Sequence, residues 1–328
     1  MSKPNWIVVL ALAAPAVMFA ADQPRIKLAT ILPRGTSTHQ AILQTAAKWR
    51  DAGVNTTIYT DGVMGGEAES VRRMRIDQLQ AAVLSVAGLQ EIDRSATALQ
   101  LMPMMFRSLD EVGYVRERFR PLLGKRFEEK GFEVLFLADA GWVQLFSRKP
   151  VLRPTDLRGQ KIFSLISDSR ESDLMKAAGL QPVDLEYTDI LSGLQTGLID
   201  AVPTPPFYAL AGQFYLSASN MLELNYAPIV GALVVTRKAW DSIPTAAQDA
   251  MRRAAEEGGR NITQHGHQEM EEAVAAMQKR GMKVNKLTPS AETEWRSFFD
   301  TLYPKIRGNL VPADLFDEVQ RLLREYRK

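Results

Sequence analysis

"DILSGLQTGLIDAVPTPPFYALAGQFY", residues 189–215, carries the decision about the fold. Its first part continues a helical stretch, "YTDILSGLQTG", and "AVPTP" then reads as a strand end. Upstream stand another strand end, "QKIFSLI" (160–166), and another helical stretch, "SRESDLMKAAG" (169–179). Strands separated by helices indicate parallel strands joined by crossovers, the α/β class. Residues 202–215 hold three prolines and four aromatic residues. Proline removes a backbone donor and fixes φ, so this run is expected to be neither a regular helix nor a central strand. Its aromatics are too dense for a solvated turn. They face a packed core, a partner or a ligand cleft.

Working outward, an earlier α/β set begins with "RIKLATI" (25–31) as a strand. A helix follows, with Ile42, Ala46 and Trp49 at helical spacing and Gly53 at its close. "TTIYTDG" is a strand ending in an Asp-Gly turn, and "GGEAESVRRMRIDQL" starts a helix with Glu67 and Glu69 at the positive end of its dipole. "QAAVLSVAG" and "FEVLFLADAG" read as buried strands. The second set begins near Val143 and ends in the β-rich "PIVGALVVTRKAW". A very long helical pattern from Pro244 to Gly281 follows, which Gly258-Gly259 is expected to bend or interrupt. The tail places Leu315, Phe316, Val319, Leu322, Leu323 and Tyr326 on one helical face. No polar linker divides the sets, so two lobes joined by crossing segments are expected rather than beads on a string.

Composition narrows the function. The 328 residues are 46% hydrophobic and 24% charged, with 40 basic against 38 acidic residues well mixed along the chain. That balance gives no basic stripe for nucleic acid. Without cysteine there is no thiolate chemistry and no disulfide. Lys3, the apolar run Trp6–Val17 and the small residues Ala20 and Ala21 read as an export signal over 1–21, with an uncleaved anchor as the alternative.

Few residues in the chain form a recognisable chemical motif. His265 and His267 lie two apart on a helix and do not share a face, so a solvated surface is expected rather than a metal site. His39 reads as a helix-start or cleft-lining residue. "GVMGGEAES" lacks the Lys-Ser/Thr of a phosphate loop and the spacing of a dinucleotide fingerprint. Met102, Met104 and Met105 suit either core filling or an irregular apolar pocket. No nucleophile or acid–base set is visible, so no enzyme, cofactor or metal is expected.

The order of motifs resembles the DctP-type substrate-binding proteins of TRAP transporters, from about Ile26 to Tyr303. "KLATILPRGTSTHQA" (27–41) is similar to that family's first strand and loop, and "IYTDGVMGGEAESVRRMR" (58–75) to its "YP-x-x-x-LG-x-E" segment. "SRKPVLRPTDLRGQKIF" (147–163) resembles "S-x-x-P-(I/V)-x-x-x-x-DL-x-G-x-K-(I/L)-R", and "DILSGLQTGLIDAVPTPP" resembles "E-x-x-x-ALQTG-x-(V/I)-DG-x-E-x-P". The resemblance implies a two-lobed periplasmic solute-binding fold with hinge strands, a long connecting helix and a ligand cleft. One lobe would take 22–142 and about 230–265, the other 143–229 and about 266–328. The implied partner is a membrane permease, with a periplasmic helical-repeat protein as an alternative.

The resemblance also implies an arginine at the end of the "K-I-R" strand, where a guanidinium pairs with a ligand carboxylate. Here that residue is Phe163; a second arginine position is Val143, and Thr204 stands at an asparagine position. Carried over by position, the cleft residues are Pro33, Ser85, Val143, Phe163, Leu165, Ile166, Tyr187 and Thr204. Trp142 and Phe207 are added on chemical grounds. Ser85 and Thr204 would orient one polar group, and Phe163 and Tyr187 would supply apolar area. The expected ligand is apolar, aromatic or neutral. Two other readings stand beside it: an organic acid held by a displaced Arg34 or Arg170, and a periplasmic protein that binds protein through its aromatic surface.

Overall fold

The computed structural model describes residues 23–165 and 169–328, so the expected export signal and Ile166 lie outside the described residues. The first α/β set comprises β1 (Arg25–Thr30), α1 (Ser37–Asp51), β2 (Asn55–Tyr59), α2 (Glu67–Arg75) and β3 (Ala81–Ser85). A short α3 (Val86–Leu89), a 3-10 turn at Arg94–Leu99 and α4 (Leu109–Glu129) lead into β4 (Phe132–Ser147). The second set runs through β5 (Lys161–Leu165), α5 (Ser169–Ala177), β6 (Gln181–Leu185), α6 (Ile190–Thr196) and β7 (Ala201–Thr204). After α7 (Pro206–Ala211) come β8 (Asn220–Thr236), α8 (Arg237–Asp241), α9 (Thr245–Lys279) and β9 (Lys283–Lys286). The chain closes with α10 (Pro289–Asp300), α11 (Tyr303–Ile306) and α12 (Ala313–Tyr326).

The described strands form one sheet in the order β2-β1-β3-β8-β4-β7-β5-β6, with β9 also on β8. Parallel pairs make up each end, as crossovers require, and the centre is antiparallel. β4 and β8 pair along their length, from Phe132↔Thr236 to Ser147↔Asn220. One half of this ladder carries β3 and the other carries β7 and β9, so both lobes share it. Register shifts fall between Val134 and Phe136, Asp139 and Trp142, and Val143 and Leu145. Each shift bends and twists the ladder locally. At the second, Gly141 has φ +107°, and a Cβ there would stand 2.9 Å from Met270 of α9.

Residues 202–215 depart from expectation. β7 is a central strand between β4 and β5 and contains Pro203. Its pairing with β5 is confined to Ile162↔Ala201, so Pro203 lies where no β5 partner needs its N–H. Pro206 opens α7 at a position where a helix leaves its N–H unpaired anyway.

α9 is continuous through Gly258-Gly259. The pair serves close packing instead of bending the helix. A Cβ on Gly258 would lie 2.4 Å from Thr45 Oγ1 of α1, and one on Gly259 2.9 Å from Phe136 Cβ of β4. His267 of α9 also departs from a solvated face. Its Nε2 lies 2.7 Å from Oδ2 of the buried Asp139, which also pairs with Arg116 of α4. β4, α4 and α9 are thus tied together beside the second register shift. His265, exposed, bonds only Asn261 O among the described contacts, 2.9 Å away.

α12 packs on α4 and Arg94–Leu99, burying Leu315, Phe316, Val319, Leu322 and Leu323. Arg327 Nε lies 2.7 Å from Glu111 Oε1, and Tyr114 Oη 2.9 Å from Glu325 Oε1. These contacts do not suit the expected placing of all of 266–328 with the second lobe. We propose that the C-terminal helix goes with 22–142.

Alanine substitutions test the α9 contact. Gly113→Ala in α4 meets nothing within 4 Å, whereas Gly259→Ala presses on Phe136 Cβ. Both gain alanine's helix preference, about 0.5–1 kcal/mol. Overpacking costs about 1–3 kcal/mol, so urea unfolding should find Gly113→Ala stabilised and Gly259→Ala net destabilised. Equal shifts would mean that α9 is not pressed against β4.

Candidate functional site

A cavity of about 350 Å³ lies where the C-terminal ends of β1, β3, β5 and β7 converge between the lobes. Thr30, Ile31 and Leu32 bring one wall from the end of β1; Ser85 and Ala87 bring another from the end of β3. Phe163, Ser164 and Leu165 enter from β5, and Pro203, Pro205 and Phe207 from the β7–α7 corner. Crevices at strand carboxyl ends are where open α/β sheets take ligands. Convergence of loops at one edge, rather than any single motif, makes the space.

Of the residues expected at the cleft, Ser85, Val143, Phe163, Leu165, Tyr187 and Phe207 line this cavity. Pro33, Trp142 and Thr204 are not in its described wall. Pro33 follows wall residues Ile31 and Leu32, and its carbonyl accepts from Thr36 Oγ1 at 2.9 Å to hold the turn into α1. Trp142 is wedged between two apolar clusters at the bent ladder. Thr204 is buried, and its Oγ1 lies 2.6 Å from Tyr187 Oη, so it reaches the cavity only through the tyrosine it positions. The Ser85 hydroxyl is likewise committed, donating to Glu67 Oε2 at 2.6 Å and capping α3 at Ala87 N.

Phe163 does two things. Its ring sits edge-on to Tyr187, with centroids 6.0 Å apart, and belongs to the apolar cluster of Phe146, Ile190 and Leu194. It also faces the cavity. Tyr187 in turn stacks edge-on with Tyr208 at 5.2 Å, and Tyr208 lies 4.7 Å from Phe207, so the aromatics of 202–215 continue into the cavity wall. Burial pushes the hydroxyl pKa values of Tyr187 and Tyr208 up, and the nearby Glu67 charge adds to this. Both stay neutral hydrogen-bonding groups.

Glu67 is the wall residue that motif reading placed only at a helix start. Its carboxylate accepts from Ser85 N at 2.7 Å, Ser85 Oγ at 2.6 Å and Gly88 N at 3.0 Å, joining the starts of α2 and α3. Burial raises its pKa above the ordinary 4.5 despite these donors. Among the described residues the wall holds four glutamates, Glu67, Glu69, Glu171 and Glu186, and no lysine, arginine or histidine. Arg34 is outside it, largely exposed and paired with Asp61 at 2.6 Å. His39 is buried at the start of α1, where its Nδ1 accepts from Gly35 N at 3.3 Å. Met102, Met104 and Met105 fill the core, while their neighbours Leu101 and Pro103 line the cavity.

Two lobes sharing a bent ladder around a cavity are an architecture suited to holding a small molecule. The chain belongs to the bacterial extracellular solute-binding protein family 7, whose model matches residues 28–309. It is 22% identical to a C4-dicarboxylate-binding periplasmic protein of Rhodobacter capsulatus, over 90% of each chain. A 2,3-diketo-L-gulonate-binding periplasmic protein of Escherichia coli is 28% identical over 59% of this chain and 60% of that one. In structure it resembles a TRAP periplasmic solute-binding protein of Chromohalobacter salexigens with bound D-glucuronate (TM-score 0.83, 18% identity, 90% of this chain and 99% of the other). One from Sulfurospirillum deleyianum with bound succinate gives 0.83 at 20% identity, covering 91% and 98%. The protein is thus a TRAP-type periplasmic solute-binding protein, a transport component and not an enzyme. A permease partner fits the family; nothing in these comparisons bears on a helical-repeat partner.

Glu67→Gln offers one acceptor oxygen to three donors and turns an amino group toward them. The substitution should cost about 1 kcal/mol, the low end of the cost of unsatisfied donors, because these donors are only partly buried. Because the native pKa lies above 4.5, the folded state holds the proton more tightly than the unfolded chain. The stability Glu67 adds is therefore full below pH 4.5 and lost as pH rises through the native value. Urea unfolding across that range should find the wild-type advantage over Glu67→Gln narrowing upward. An advantage that widens would mean the three donors outweigh desolvation.

Proposed function

We propose that this receptor captures a small ligand whose recognised surface is uncharged and largely apolar, and delivers it to a membrane permease. The supporting observation is the wall: Phe163, Val143, Tyr187 and Phe207 line it, and no described wall residue is a cation. An apolar site with a few polar groups is a normal ligand pocket. An anion would instead enter beside Glu67 with no guanidinium to pair with. Phe163 and Tyr187 supply contact area, and Thr204 fixes the tyrosine hydroxyl. Pro33 and Trp142 belong to this proposal as flanking positions. Closure is a hinge motion of the shared ladder, biased by contacts made only in the closed state.

A second reading keeps an organic acid. Its support is that solved relatives hold D-glucuronate, succinate and β-D-galacturonate, so the comparisons lend nothing to an apolar ligand. Arg170 lies in the first turn of α5 next to Glu171, a wall residue, and is the better placed anchor; Arg34 is the other.

Native mass spectrometry of the purified protein, followed by calorimetry with succinate and D-glucuronate, separates the readings. The first expects a co-purified uncharged or weakly polar molecule and no measurable acid binding. Micromolar binding of either acid would overturn it, and loss of that binding in Arg170→Ala or Arg34→Ala would name the anchor. Phe163→Arg should weaken the co-purified ligand roughly a hundredfold, because apolar contact is lost and a guanidinium is desolvated in the closing cleft. Unchanged affinity in a folded Phe163→Arg protein would remove Phe163 from the site.

A further inference from the structure

The cavity reaches both faces of β5. Phe163 and Leu165 point to one face and Ile162 and Ser164 to the other, following the alternation of a strand, and all four line the space. The Phe163 side is the cleft between the lobes. The Ile162 side is a second compartment, bounded by Leu174 of α5, Ala178 just after that helix, Leu101, Tyr226 of β8, and Trp295 and Phe298 of α10. Leu101, Leu174, Ala178, Tyr226 and Phe298 are only partly buried although they pack against the main core. Ser164 Oγ, which faces the Ile162 side, is buried without a hydrogen-bond partner. Partly exposed apolar groups around a void that continues into the cleft are what a hydrocarbon tail complements.

We propose that this second compartment holds the hydrocarbon tail of an amphiphilic ligand whose uncharged polar head lies in the inter-lobe cleft. This rests on the uncharged-ligand reading above and adds the shape and class of the molecule. At roughly 30 Å³ for each water-sized group, the cavity of about 350 Å³ admits on the order of a dozen non-hydrogen atoms. A medium-chain aliphatic or aryl-alkyl alcohol has that size.

The test is a homologous series. The full-length mature protein, freed of co-purified ligand, is titrated with straight-chain 1-alkanols of increasing length, with the matching alkanoates, and with succinate. Each methylene transferred from water is worth about 0.8 kcal/mol, which is about a fourfold gain in affinity per carbon. The proposal expects that gain for the alkanols until the compartment is full, then a plateau. Ala178→Phe, and independently Leu101→Trp, should bring the plateau several carbons earlier, and either variant suffices should the other fail to fold. Alkanol binding that ignores chain length overturns the tail compartment and leaves the uncharged-ligand reading standing. Binding of succinate with no alkanol binding overturns both. Alkanoates that climb as the alkanols do keep the compartment and remove only the uncharged head.

Discussion

The constraint on which the rest depends is that β4 and β8 belong to both lobes at once. Two strands paired from Phe132↔Thr236 to Ser147↔Asn220 cannot separate without losing the centre of the sheet. Closure of the lobes as proposed would therefore have to bend the ladder, because parting them would break it. Three register shifts supply the places where it bends, and Gly141, at φ +107°, allows one of them. The same ladder fixes the site. It holds the ends of β3 and of β5 and β7 facing each other, so wall residues far apart in sequence meet at one crevice.

α9 limits that bending. It lies against α1 and β4 through Gly258 and Gly259, where the side chains of Thr45 and Phe136 fill the space a Cβ would take, and through Gly266, where the backbone of Ala140 does. Asp139, buried on β4, bonds to His267 of α9 and Arg116 of α4. A carboxylate removed from water requires such partners, and losing one strands the charge. The cluster therefore holds the helix to the ladder at the bend and favours rotation about that point over sliding.

Much of this was legible in the sequence. The alternation of strands and helices gave the class, and six of the ten cleft positions line the cavity. What was not legible has local causes. β6, "QPVDL", and β9, "KVNK", are edge strands with exposed polar positions, so neither has the apolar alternation that marks a strand. Pro203 argued against a central strand, but only its pairing with β5, confined to Ala201, reveals why it is tolerated. The second compartment draws on residues from Leu101 to Leu310, each of which reads alone as core. Glu67 looked like a helix-start acid, and only the fold brings Ser85 and Gly88 to it.

The electrostatics of the wall join these points. An arginine at position 163 would set a cation in the same crevice as Glu67, and a ligand carboxylate would complete a mixed set. With phenylalanine there, a bound anion meets Glu67 uncompensated by any described wall residue. Two like charges about 5 Å apart repel by roughly 3 kcal/mol at an effective dielectric of 20. The least costly escape is protonation of Glu67, whose pKa burial already raises. An acid ligand would thus take up a proton on binding and bind better as pH falls, whereas an uncharged amphiphile would be nearly indifferent to pH. The substitution at one strand end therefore changes more than a contact, because it decides whether the half-buried carboxylate opposes the ligand or merely braces the wall.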